Sequence, residues 1–152
     1  MKSLDQLLAE HPFFQGLRQE HLELLAGCAS ASRVEGGDFL FREGEPARAF
    51  YIVRHGSIAI TSMAPHEGLV TIQTLGQGDV LGWSWLLPPY RWHFGARALE
   101  PTVVVSLDAA CVRGKCERDL EFGYEIMCRF AEVMASRLEA THLQLLNVYE
   151  HR

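Results

Sequence analysis

The sequence predicts a mainly β domain of the sandwich, roll or barrel kind, with helices at both ends. Three observations predict it. Short runs rich in β-branched and aromatic residues recur through the middle of the chain, and glycine turns separate them. The apolar period is helical before them and helical again after Glu117. The 152 residues amount to one domain, 1–152, able to bury a core without staples. Hydrophobic residues at 48% and charged ones at 22% exclude a disordered chain, and no apolar run reaches the length of a bilayer. The opening "MKSLDQLLAEHPFF" carries acids and a proline where a secretory signal needs a clean apolar stretch, so a cytoplasmic location is expected.

Taken in order, Ser3 is placed to cap a helix carrying Leu4, Leu7 and Leu8, and His11-Pro12 ends it. "LRQEHLELLAGCA" repeats the pattern through Leu17, Leu22, Leu24 and Leu25, with Gly27 at its end. These N-terminal helices occupy 1–29. The runs "DFLF", "RAFYIVR", "SIAITSM", "LVTIQTL", "FGARALE" and "TVVVSLD" form the β region, 33–107. Ile58 and Ile60 alternate with Ser57, Ala59 and Thr61, which sets one face on a core and the other toward water. The turns "EGGD", "REGEP", "RHGS" and "LGQGDV" punctuate the runs, glycine supplying the positive φ they need. C-terminal helices occupy 108–150. From Glu117 to about Tyr149 the pattern runs unbroken through Ile126, Phe130, Val133, Met134, Leu138, Thr141, Leu145 and Val148. Such a helix, roughly 45 Å long, outreaches a small β domain. Part of its stripe is expected on that domain and the rest against a second copy, in a two-fold homodimer. The alternative is a bent helix folding back on its own domain.

Cys28, Cys111, Cys116 and Cys128 show no C-x-x-C pair and no zinc-like spacing, so free and mostly buried thiols are expected. The net charge of −5, with lysine only at Lys2 and Lys115, argues against DNA binding through phosphate contacts. The local exception is residues 81–98, "LGWSWLLPPYRWHFGARA", which holds all three tryptophans together with Tyr90, Arg91, His93, Phe94 and Arg97. The histidines lack metal-ligand spacing, and no Ser-His-Asp or paired-carboxylate arrangement is present, so neither a metal nor enzyme activity is expected.

"FREGEPARAFYIVRHGSIAI", "LGQGDVLGW" and "ARALEPTVVVSLD", in that order, resemble the cyclic-nucleotide-binding domain of catabolite-activator and fumarate–nitrate-regulator type transcription factors. Gly44, Gly56, Gly78 and Gly82 stand where that family has turn glycines. The resemblance implies an antiparallel β-roll, a jelly-roll-like double-stranded β-helix, between N-terminal helices and a long C-terminal helix. The regulators continue into a helix-turn-helix domain, whereas this sequence stops at Arg152. A free-standing regulatory or sensor module is therefore expected, without DNA or membrane contact.

The resemblance also places a ligand cassette. In the family a Gly-Glu pair opens a short helix whose Glu meets the ribose. An Arg-Ser or Arg-Ala pair further on holds the cyclic phosphate with the helix amides. Here Trp83 takes the Glu position after Gly82, and Trp92-His93 fall on the Arg-Ser positions. A shift of one residue brings Arg91 into the Arg role. Ser84 is placed to cap a short helix Trp85-Leu86-Leu87 that Pro88-Pro89 stops, with Trp85 and Leu86 packing on the roll. Arg91 and Arg97 offer forked donors for an anion, and His93 a further donor. On the long helix Arg137, Thr141 and His142 fall on base-facing positions, where the family has Arg, Thr and Ser. Loss of the ribose carboxylate argues against ordinary cyclic AMP. The expected ligand is another nucleotide-like anion, with the long helix carrying the signal to a partner. The competing reading is a ligand-free accessory subunit or protein-interaction module of a redox, hydrogenase-like complex. One condition separates them. A hollow filled by indole, with both arginines engaged elsewhere, leaves a domain that works through other proteins.

Overall fold

The computed structural model describes residues 3–150. The chain opens with α1 (Leu4–Glu10), a 3-10 turn (Pro12–Phe14) and α2 (Gln19–Ala26). Eight strands follow: β1 (Ala29–Val34), β2 (Phe39–Phe41), β3 (Ala49–His55), β4 (Ser57–Ala64), β5 (Gly68–Gly76), β6 (Val80–Leu81), β7 (Gly95–Ala98) and β8 (Thr102–Asp108). The chain ends in α3 (Ala109–Arg118) and α4 (Leu120–Glu150). The strands form two antiparallel four-stranded sheets, ordered β1-β8-β3-β6 and β2-β7-β4-β5, which make up the expected β-roll.

Alternation drives this arrangement. Phe50, Ile52, Ile58, Ile60, Leu75, Leu81, Val105 and Leu107 are buried in one apolar cluster. Leu22 and Leu25 of α2 and Phe122, Ile126 and Phe130 of α4 join the same cluster. Each such side chain contributes about 1.5–3 kcal/mol on burial, so the helices are integral to the core. The β4–β5 hairpin keeps its pairing from Ser57↔Gly76 to Ala64↔Gly68, with one bulge between Ile60 and Thr61.

Ala59 and Thr61 of β4, expected toward water, are buried, and three further features differ from the sequence expectation. First, "ASASRV" forms β1, although its middle four residues are exposed and carry no apolar alternation. It is an edge strand held by its ladder to β8, Ala29↔Leu107 through Val34↔Thr102. Second, the run expected unbroken from Glu117 is interrupted at Asp119, between the two helices that fill the expected C-terminal region. The Asp108 carboxylate caps α3 by accepting from the Cys111 N–H at 2.8 Å. Asp119, at φ −132 and ψ 96, breaks the run, and its carboxylate accepts from Phe122 N–H at 3.1 Å to start α4. Third, the four cysteines are not all free. Cys28 and Cys111 form a disulfide, their Cα atoms 5.8 Å apart, while Cys116 is part-buried and Cys128 exposed. Residues so distant in sequence meet because β1 pairs with β8, a contact that cysteine spacing does not encode.

The apolar stripe of α4 is also double. Phe122, Ile126 and Phe130 are buried against the roll, with Val133 packed partly behind them. A second line, Met127, Ala131, Met134, Leu138, Thr141, Leu145 and Val148, alternates spacings of four and three. Along it Met127, Leu138, Leu145 and Val148 are exposed.

Candidate functional site

The cassette begins where β6 ends. Gly82 has φ +94, a left-handed conformation that favours glycine. A Cβ there would also lie 2.5 Å from the Trp92 ring. Residues 83–90 then follow tight turns, closed by Leu86 N–H to Trp83 O at 3.0 Å and Tyr90 N–H to Leu87 O at 2.9 Å. The short helix expected at Trp85-Leu86-Leu87 does not form. No row of helix amides therefore faces an anion, and Ser84 has no helix to cap. Its Oγ lies 3.1 Å from His93 Nδ1 instead.

Backbone bonds to the 44–47 turn fix the direction of the next side chains. Ala47 N–H donates to Tyr90 O at 2.7 Å, Trp92 N–H to Glu45 O at 2.9 Å, and Gly44 N–H to Trp92 O at 2.8 Å. Pro46 and Arg91 face each other as an isolated bridge. This short extended segment alternates as a strand does, so Arg91 and His93 point out and Trp92 points in. Only 3% of Trp92 is exposed. Its indole stacks on Phe41, ring centroids 3.6 Å apart and planes 10° from parallel, with Phe94 6.2 Å away. Trp92 is thus core against Gly82 rather than an exposed ligand platform. Trp83 stacks on His93 at 4.8 Å and forms the rim outside it.

The arginines are occupied by backbone. Arg91 Nη1 donates to Gly44 O at 2.9 Å. Arg97 Nε donates to Gly37 O at 3.1 Å, and its guanidinium sits 5.9 Å from the Phe39 ring. Trp85 is fully buried, as expected, stacked on Phe50 at 4.8 Å and edge-on to Phe130 of α4 at 5.2 Å. It ties the cassette loop to the long helix.

Of the three residues expected from α4, Arg137 and Thr141 bond to carbonyls outside residues 82–97. Arg137 donates to Val80 O, in β6, and lines a hollow of about 310 Å³ with Asp79 and Arg129. Burial holds its guanidinium below the ordinary arginine pKa, with the Asp79 carboxylate opposing that shift. Thr141 turns its hydroxyl back to Arg137 O at 2.9 Å. His142 is exposed. Gln144, which sequence reasoning did not single out, reaches Ile72 O of β5 at 3.2 Å and steadies the helix over the roll. Among the described residues no group of His, Cys, Asp and Glu is arranged to hold a metal, and no helix is long and apolar enough to cross a membrane.

Phe41, also missed by sequence reasoning, is the floor of the site. The signal for it is the alternation in Arg91-Trp92-His93, a polar–indole–polar triplet beside the strand "DFLF".

A β-roll with a loop of this position, closed by turn glycines and backed by a long helix, defines a cyclic nucleotide-binding domain of the catabolite-activator type. The chain belongs to the cyclic nucleotide-binding domain family, which it matches over residues 31–119. It is similar to a CRP-like cAMP-activated global transcriptional regulator of Mycobacterium tuberculosis, 26% identical over 95% of this chain and 63% of that protein. The chain therefore spans under two thirds of that regulator's length. A putative cyclic nucleotide-binding protein of Geobacter metallireducens has the same fold, with a TM-score of 0.80, 25% identity, and coverage of 91% of this chain and 99% of that one. The catabolite activator protein of Thermus thermophilus shares the fold at a TM-score of 0.71 and 24% identity, over 91% of this chain and 63% of that one.

Proposed function

We infer that this domain is a regulatory module that acts through protein contacts, with its nucleotide cassette closed by its own Trp92. The observation that carries the reading is the indole lying between Gly82 and the Phe41 ring, where the family resemblance puts the phosphate-holding arginine. Filling that space with carbon removes both the volume and the charge that a cyclic phosphate needs. Burying a phosphate against an apolar ring without paired donors is strongly unfavourable.

The output surface is α4. The seam from Met127 to Val148 has the three-four spacing of a coiled coil, and its second half lies beyond the stripe buried on the roll. Self-pairing of this seam with a second copy buries Leu138 and Leu145, each more than half exposed in the single chain. Leu138→Glu places a charge in the middle of the seam. In light scattering after size exclusion, the wild type is expected at twice the mass of one chain and the variant at one. A wild type at one chain mass refutes the pairing.

A second reading keeps the ligand. His93 and Trp83 stay adjacent at the rim over the buried Ser84 hydroxyl, and the Arg91 and Arg97 side chains are exposed. Outward rotation of Trp92 would offer these groups to a nucleotide-like anion, as the cAMP-activated relative's name suggests for that protein. Calorimetric and tryptophan-fluorescence titration with cyclic AMP, cyclic GMP and a cyclic dinucleotide separates the two. No saturable signal up to about 1 mM, near −4 kcal/mol of binding, is the result expected for a closed cassette. Micromolar binding by the wild type would establish the second reading.

A further inference from the structure

Cys28 and Cys111 are 83 residues apart and bonded to each other. Cys28 sits where α2 passes into β1, its N–H donating to Leu25 O at 2.9 Å. Its carbonyl accepts from Asp108 N–H, also at 2.9 Å, one step beyond the last rung of the β1–β8 ladder at Ala29↔Leu107. The disulfide is therefore a covalent rung added where β8 turns into α3. Cys111 lies in the first turn of α3.

The far end of α3 is held to the same N-terminal helix by weaker means. His21 of α2 is buried edge-on against Phe122, centroids 5.3 Å apart, and its Nε2 is 3.7 Å from Asp119. Arg18 pairs with Glu121 at 3.2 Å across an exposed surface. Gly123 lets α4 approach α3, since a Cβ there would stand 3.0 Å from Cys116 O. α3 thus has one covalent tie at its start, and its far corner with α4 has only a few non-covalent ones.

The geometry points to a reversible dithiol–disulfide switch at Cys28 and Cys111 that sets how firmly the α3–α4 corner is held to the roll. Its reactants are small-molecule disulfides in one direction and dithiols in the other. On oxidation, the Cys111 thiolate attacks one sulfur of a disulfide RSSR and expels RS⁻, leaving a Cys111–SR mixed disulfide. The Cys28 thiolate then attacks the Cys111 sulfur and expels the second RS⁻. The protein loses two protons and two electrons, and two RSH form. A dithiol reverses the sequence and leaves as its own cyclic disulfide.

Two observations favour this over a permanent staple. Cys111 is part-exposed whereas Cys28 is 8% exposed, so one sulfur is open to attack and the other is placed to resolve it. Cys116 does not compete, because burial, reinforced by Glu117 and Asp119, pushes its thiol up to about 11. The switch does not depend on whether the cassette is closed.

The test uses the full chain at pH 7.5, with a Cys28→Ser/Cys111→Ser variant as its control. After equilibration with oxidised glutathione, alkylation in denaturant is expected to find no free thiol at Cys28 or Cys111, and peptide mapping to find the two joined to each other, whether or not exposed Cys128 carries glutathione. After native treatment with dithiothreitol it should find four. The melting temperature should fall by about 5–15 °C on reduction. Amide exchange over residues 109–123 should accelerate at least about tenfold more than exchange in β3. Free thiols at Cys28 and Cys111 under both conditions, or a bond between them that resists dithiothreitol in the native protein, refute a switch. Equal acceleration in both regions refutes control of the corner. A Cys28→Ser/Cys111→Ser variant that responds to dithiothreitol would assign the effect to other thiols.

Discussion

Gly56→Ala is expected to destabilise the domain more than any other replacement by a single methyl group. Gly56 joins β3 to β4 at φ +115, outside the range that side-chain-bearing residues adopt without strain. A Cβ built there would also overlap the Thr102 hydroxyl and stand 2.7 Å from Thr102 Cα. Thr102 has no room to retreat, being fully buried. Its hydroxyl donates to Glu100 O at 2.8 Å, and it accepts from Ser57 N–H at 3.2 Å. Backbone strain of about 1–3 kcal/mol adds to overpacking of about 1–3 kcal/mol. Against a total stability of roughly 5–15 kcal/mol, the variant should melt well over 5 °C lower or fail to fold. A melting temperature within 2–3 °C of the wild type, about the effect of one kcal/mol, would show that the β3–β4 turn is not built this way.

How much of this molecule is legible in its residues depends on the range over which each feature is encoded. The strands whose inner faces carry Phe50, Ile52, Ile58, Ile60, Val105 and Leu107 announce themselves, because each alternates within its own few residues. β1 does not, since "ASASRV" owes its conformation to β8 and lends the core little. α3 merges with its neighbours in the sequence because Asp108 ends β8 and caps the helix at once, with no loop between to mark the change. The site follows the same rule. Tryptophan, histidine and arginine in 81–98 are visible as a concentration of chemistry, and Gly82 as a turn. The polar–indole–polar order of 91–93 signals the inward aim of Trp92, but backbone bonds to residues 44–47, outside that stretch, fix it. The two arginines likewise find carbonyls of Gly44 and Gly37, remote in sequence. The disulfide likewise joins residues 83 apart, through the pairing of β1 with β8.

The closed cassette makes a prediction that composition alone does not. Trp92→Ala removes a buried indole and should cost about 3–5 kcal/mol. Gly82→Ala should cost about 1–2 kcal/mol for the left-handed backbone, plus about 1–3 kcal/mol because its Cβ would meet the Trp92 ring at 2.5 Å. In the double variant the second contribution disappears, since the ring that blocks the methyl group is gone. The double variant should therefore be more stable than the sum of the two singles implies, by at least about 1 kcal/mol, measured by urea denaturation. Distant or unconnected sites add to within about 0.3–0.5 kcal/mol, so additivity would place the Trp92 ring away from Gly82 in solution and leave the hollow open. The same Trp92→Ala protein then bears on function. If the indole is what keeps nucleotides out, its removal should give a larger cyclic-nucleotide response than the wild type, with His93 already at the rim and the Ser84 hydroxyl behind it. If neither protein responds, the loss of the family's ribose carboxylate and phosphate arginine is sufficient by itself, and closure by Trp92 serves to pack the roll and anchor the loop.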